Sequence, residues 1–223
     1  MLRRLQRACV ILCTAVAATV LSGVTDGAWA EPRPLRLVAL GDSLTAGYGL
    51  PEKAAFPAVL ETALQAKGQD VRIGNAGVSG DTSTGGLARV DWSVPDGTDG
   101  VILELGANDM LRGVDPVVTK KALETIITRL RARNIPVLLA GMFASRNLGP
   151  DYVAKFEAMY RDLAQEHGLV LYPFFLDGVT EVEGMTLPDR LHPTAEGVKV
   201  IVNRILPSVE TFLGRIQGAP KPG

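Results

Sequence analysis

Four short runs in this chain carry residue types that together do acyl-transfer chemistry. They are Gly41-Asp42-Ser43-Leu44, Asn75-Ala76-Gly77-Val78-Ser79-Gly80-Asp81, Gly106-Ala107-Asn108-Asp109 and Leu187-Pro188-Asp189-Arg190-Leu191-His192-Pro193. They offer a hydroxyl, a glycine amide, a carboxamide and a carboxylate–imidazole pair. Ester hydrolysis needs that inventory: a serine attacks the carbonyl, and preorganised N–H donors hold the charge that develops on oxygen. The serine also needs a base, and the chain has two histidines, His167 and His192. His167 falls in the last turn of a polar helix, where an exposed or helix-dipole role is expected. His192 follows Asp189 by three residues, a spacing that lets the carboxylate reach the ring Nδ1 and fix its tautomer. Taken singly, each run has a plainer reading. Gly-Asp-Ser serves as a turn or helix cap, Asn108-Asp109 as a self-bonded loop, the Gly77 run as a phosphate cradle, and Asp189 with His192 as a turn brace.

What gives the four runs weight is the pattern of elements that must position them. Short apolar runs at 35–40, 71–75, 101–105, 137–142 and 169–172 read as buried strands. Between them lie segments of helical spacing. One carries Phe56, Val59, Leu60, Ala63 and Leu64 and stops at Gly68; another carries Leu123, Ile126, Ile127 and Leu130 before Pro136. A third carries Tyr152, Phe156, Met159 and Leu163 and stops at Gly168, and a last stripe runs from Val198 to Val209. Alternation of this kind predicts an α/β fold with a parallel sheet covered on both faces, in which ligands bind beyond the carboxyl ends of the strands. Three of the four runs directly follow a predicted strand. With the strand order 2-1-3-4-5, those three would meet in one crevice.

At this level the chain resembles the SGNH hydrolases. The blocks are GDSL at 41–44, NAGVSGDTS at 75–83, GAND at 106–109 and DxxHP at 189–193. Glu104–Gly113 (ELGANDMLRG) and Asp189–Gly197 (DRLHPTAEG) are similar to the bacterial arylesterase, acyl-CoA thioesterase I and lysophospholipase L1 subgroup. The likeness runs from about Leu35 to Leu213. It implies a three-layer α/β/α sandwich with a five-stranded parallel sheet of flavodoxin-like order 2-1-3-4-5. It also implies Ser43 as nucleophile, His192 as base and Asp189 as its orienter. The Ser43 and Gly77 N–H groups, with the Asn108 side chain, are then the oxyanion hole. Ala107 departs from the subgroup, which usually has glycine there. Asp42 and Asp109 are expected as local braces, and Asp81 and Thr82 as caps of the next helix. The implied substrates are short- to medium-chain acyl esters, aryl esters, lysophospholipids or thioesters. Carbohydrate O-acetyl groups and non-catalytic acyl binding are the alternatives. Leu111, Val114 and Leu148, in the loops after the third and fourth strands, are candidate contacts for the acyl group.

Composition sets the remaining bounds. With 223 residues, 47% of them hydrophobic, the chain has enough apolar material for one well-buried core. Arg3, Arg4 and Arg7, an apolar run from Ala8 to about Val24 and Ala28-Trp29-Ala30 read as a signal peptide over residues 1–30, with one hydrolase domain over 31–223. Retention of that segment as an anchor is the alternative. Cleavage implies a periplasmic or secreted protein with no stable membrane insertion. Cys9 and Cys13 both fall in the segment, so the mature chain would lack thiols and disulfides. It would hold 20 basic and 23 acidic residues, net −3, with no basic stripe, which argues against nucleic acid as a partner. No run fits a Walker loop, a G-x-S-x-G elbow, a G-x-G-x-x-G fingerprint or a zinc ligand set, so no metal or cofactor is expected.

Overall fold

The computed structural model describes residues 33–218, and the expected signal peptide with both cysteines lies outside them. Five parallel strands form one sheet in the order β2-β1-β3-β4-β5: β1 (Leu35–Gly41), β2 (Val71–Gly77), β3 (Gly100–Glu104), β4 (Val137–Ala140) and β5 (Val170–Tyr172). The residues of β3 and β4 are all buried, which explains why those runs are apolar throughout and do not alternate. β2 is an edge strand and alternates from Val71 to Gly74.

Helices cover both faces. α2 (Phe56–Ala66) packs beside α7 (Ala195–Gly218); α5 (Pro116–Ala132) packs between α3 (Ser83–Ser93) and α6 (Pro150–His167). α5 buries the stripe its spacing predicts, Leu123, Ile126, Ile127 and Leu130, and α2 buries Phe56, Leu60 and Leu64 of its own with Val59 and Ala63 half-buried. In α6, Phe156, Met159 and Leu163 are buried as their spacing predicts, while Tyr152 is half-buried and Val153 and Tyr160 join the core; in α7, Val198, Ile201, Val202, Ile205 and Val209 are buried and Leu206 is half-buried. α6 stops at Gly168, which adopts the left-handed conformation that residues with a Cβ disfavour.

Two very short helices escape the periodicity reading. α1 (Ser43–Ala46) and α4 (Ala107–Leu111) follow β1 and β3 directly. Each spans about one turn, too short for an apolar stripe to repeat. β2 also runs on past Asn75 through Gly77, so the glycine of the second block is a strand end. The register pairs Gly41 with Gly77 and Gly41 with Glu104, which brings the first three blocks to one end of the sheet.

Candidate active site

Ser43 is the first residue of α1, just past the end of β1. Asp42 caps that helix: its Oδ1 accepts from the Leu44 N–H at 3.0 Å. The turn is tightly packed. A side chain at Gly41 would overlap the Thr45 hydroxyl, and one at Gly77 would overlap the Ala46 backbone. Only glycine lets the end of β2 lie this close to α1.

His192 reaches Ser43 from the loop before α7. Its Nε2 lies 2.9 Å from Ser43 Oγ, and its Nδ1 lies 2.7 Å from Asp189 Oδ2. A carboxylate accepts only, so the neutral ring carries its proton on Nδ1, and Nε2 accepts from the Ser43 hydroxyl. Asp189 Oδ1 also accepts from the Leu191 and His192 N–H groups at 2.9 and 3.1 Å. The His192 hydrogen bond, followed by these two, pulls the Asp189 carboxyl down to about 2. Arg190 adopts φ 60, an uncommon conformation for a residue with a Cβ. It sits within the turn that folds Asp189 back onto the imidazole. Tyr48 lies over the same ring, with centroids 4.4 Å apart at 35°.

The donors expected to hold an oxyanion stand at the ends of three neighbouring strands or just past them. Among the described residues the Ser43 N–H has no acceptor. Asn108 Nδ2 donates to Asp42 Oδ2 at 3.1 Å and keeps a second N–H. The Gly77 N–H donates to Asn75 Oδ1 at 3.0 Å, so that carboxamide oxygen occupies it in the resting site. Asp42 is buried, and burial pushes its carboxyl up to about 6 against its hydrogen bonds from Leu44 and Asn108. Beneath it the fully buried Glu104 accepts from Thr45 Oγ1 at 2.8 Å. Its carboxyl is held well above the ordinary range, first by burial and then by the Asp42 charge.

The Asn108 helix is gripped from all sides. Asp109 accepts from the Ser83 N–H at 2.8 Å, the Ser83 hydroxyl at 2.6 Å and the Thr119 hydroxyl at 3.1 Å. It is the brace that its position suggested. From α6, Tyr160 donates to the Leu105 carbonyl at 3.0 Å and Tyr152 to the Val114 carbonyl at 2.8 Å, so the two hydroxyls hold both flanks of α4. Gly106, at φ 125, leaves room for the Tyr160 hydroxyl. The α6 stripe reads from sequence as plain core, and nothing in its spacing reveals this grip.

Thr82 caps α3 by accepting from the Gly85 N–H at 3.2 Å, but Asp81 does not share the cap. Its carboxylate turns to the guanidinium of buried Arg89 at 2.7 Å, a charge-assisted pair stronger than a bond from a neutral N–H.

Of the candidate acyl contacts, Leu111 ends α4 and is 54% exposed. Val114 and Leu148 are half-buried, the latter in the short turn Arg146–Leu148. Other exposed apolar side chains share the carboxyl end of the sheet: Tyr48 after β1, Val78 after β2, Phe143 after β4 and Leu191 beside His192. Phe143 stacks on Phe174 with centroids 4.4 Å apart. A cavity of about 210 Å³ lined by Arg131, His167, Phe212 and Arg215 also touches Val137 and Val170, at the opposite end of the sheet from Ser43. Among the described residues, Glu124, Glu166 and His167 bring possible metal-ligand atoms within 4.8 Å of one another. Lys120 already pairs with Glu166, and Arg131 Nη1 lies 3.3 Å from His167 Nδ1.

A doubly wound sheet with a serine, an imidazole and a carboxylate in hydrogen-bonded series defines a serine hydrolase architecture. Residues 39–200 match the GDSL-like Lipase/Acylhydrolase family, and the chain belongs to it. It is similar to Esterase TesA of Pseudomonas aeruginosa, 36% identical over 178 residues, covering 79% of this chain and 89% of the relative. It is also similar to Thioesterase 1/protease 1/lysophospholipase L1 of Escherichia coli strain K12, 38% identical over 168 residues, covering 75% and 79%. The crystal structure of TesA superposes with a TM-score of 0.75 over 79% of this chain and 98% of that one, at 36% identity. That of AlinE4, described as an SGNH-hydrolase family esterase, gives 0.69 over 82% and 98%, at 42% identity.

Proposed function

We propose that this chain is a serine esterase that hydrolyses short- to medium-chain acyl esters through an acyl-enzyme formed on Ser43. The observation that carries the reading is the hydrogen-bonded series Ser43 Oγ, His192 Nε2 and Nδ1, Asp189 Oδ2, with steps of 2.9 and 2.7 Å. Ser43 attacks the ester carbonyl as its proton passes to His192 Nε2. Asp189 stabilises the imidazolium that forms. The oxyanion takes the Ser43 N–H, the free N–H of Asn108 and the Gly77 N–H released by Asn75. His192 then returns its proton to the departing alcohol, and water repeats the cycle on the acyl-enzyme.

The esterase, thioesterase and lysophospholipase names of the relatives support the substrate class. The exposed apolar side chains around Ser43's end of the sheet suit an acyl chain and its alcohol. Leu111, Val114 and Leu148 are assigned to the acyl wall. Residues 1–30 are assigned as a signal peptide and 31–223 as the exported domain, on their sequence pattern; no described helix is long and apolar enough to cross a membrane.

Hydrolysis of p-nitrophenyl esters from acetate to palmitate by residues 31–223, beside release of fatty acid from a lysophospholipid, tests the reading. Turnover peaking at short to medium chains is the expected result. Activity confined to acetate would move the assignment to a carbohydrate O-acetylesterase. Failure on every ester by the folded protein would sink it.

A further inference from the structure

Arg89, on α3, is the only buried Lys or Arg among the described residues, at 6% exposure. Burying a cation costs desolvation, and an apolar side chain would pack α3 on the sheet without it. The guanidinium is placed for another purpose. Nε donates to Asp81 at 2.7 Å, Nη2 to the Gly41 carbonyl at 2.7 Å, and Nη1 to the Ala76 carbonyl at 2.8 Å and the Ser93 hydroxyl at 3.1 Å. Gly41 and Ala76 stand at the ends of neighbouring parallel strands. One planar fork thus bridges the strand end that carries the nucleophile and the strand end that carries Gly77.

The Ala76 carbonyl and the Gly77 N–H are two ends of one amide. A charged donor on the carbonyl oxygen draws electron density through the amide and strengthens its N–H as a donor. The benefit is larger toward a charged acceptor than toward the neutral Asn75 carboxamide that holds this N–H in the resting site. We propose that Arg89 is a positioning residue of the oxyanion hole, which fixes the spacing of Ser43 and Gly77 and polarises the Ala76–Gly77 amide toward the transition state. This rests on the reading of Gly77 as an oxyanion donor.

The test uses Arg89→Met and Arg89→Lys, with active sites counted by stoichiometric reaction with a fluorophosphonate, so that misfolded protein does not enter the rate. Loss of a whole oxyanion donor costs on the order of 10²–10³ in turnover, so weakening one is expected to lower kcat per site about tenfold in Arg89→Met. KM should hold, and Ki for an alkylboronic acid, which forms a tetrahedral adduct, should rise in step with the fall in kcat/KM. Arg89→Lys keeps the charge but cannot bridge both carbonyls, and should fall between. If Arg89→Met does not fold, Arg89→Lys decides, and wild-type kcat and Ki per site in it overturn the proposal. Asn108→Ala runs in parallel. Boronate affinity lowered by Asn108→Ala but untouched at Arg89 would remove Arg89 and leave the oxyanion hole standing. Affinity unchanged in both would remove the oxyanion hole itself.

Discussion

Asp42 Oδ2 accepts a hydrogen bond from Asn108 Nδ2 at 3.1 Å, so Asp42 fixes which way the Asn108 carboxamide is turned. An amide turned the other way would present oxygen to an oxyanion. Asp42→Asn offers no such preference, and kcat is expected to fall about tenfold, a fraction of what loss of a full donor costs. Stability should move the opposite way with pH. The Asp42 carboxyl is raised to about 6, so the folded state binds a proton that the unfolded chain has already released, and stability falls as pH climbs from about 4 to about 6. The stability of Asp42→Asn relative to wild type should therefore increase over that interval, as read from urea midpoints at its two ends. A constant difference would contradict the assigned ionisation.

Asn108→Ala removes the donor outright. Turnover should drop on the order of 10²–10³ with KM little changed, because the lost contact belongs to the transition state. Steady-state kinetics on one p-nitrophenyl ester is sufficient, and full activity would remove Asn108 from the site.

With the Asp189 carboxyl held at about 2, it stays ionised wherever the enzyme works. The rate should then fall in acid, because a serine proton can pass only to a neutral imidazole. Asp189→Asn leaves the ring without its tautomer guide, and kcat should fall by as much as ~10⁴, as in other triads. A rate unchanged from acid to alkaline pH would argue against a histidine base.

Tyr160→Phe deletes the donor to the buried Leu105 carbonyl at the entry to α4. An orphaned buried acceptor costs about 1–3 kcal/mol. The urea midpoint should fall accordingly, and kcat with it if the Asn108 helix loosens.

Much of this architecture was legible in the residues. The strands are legible as apolar runs because β3 and β4 are buried on both faces, and the Ser43, Gly77 and Asn108 blocks fall at strand ends in an order that a parallel sheet makes meaningful. Less legible were the residues that act through long-range hydrogen bonds. Arg89 and Tyr160 sit on helices whose spacing speaks only of packing. Their partners, Gly41, Ala76 and Leu105, contribute carbonyl oxygens, which no residue type advertises. Asp81 looked like a helix cap because capping is a local pattern, whereas its partner lies a helix turn and more away. Asn75 on the Gly77 N–H was hidden for a related reason: a carboxamide's direction is settled by three-dimensional neighbours.

Whether Ser43 carries the acyl group is tested by hydrolysis of p-nitrophenyl butyrate by Ser43→Ala beside the wild type, with mass spectrometry after fluorophosphonate treatment. Turnover should fall to the level of residual oxyanion-hole catalysis, and one phosphonyl adduct should form on wild-type Ser43 and be absent from the variant. Wild-type turnover in Ser43→Ala, or an adduct on another residue, would contradict that role.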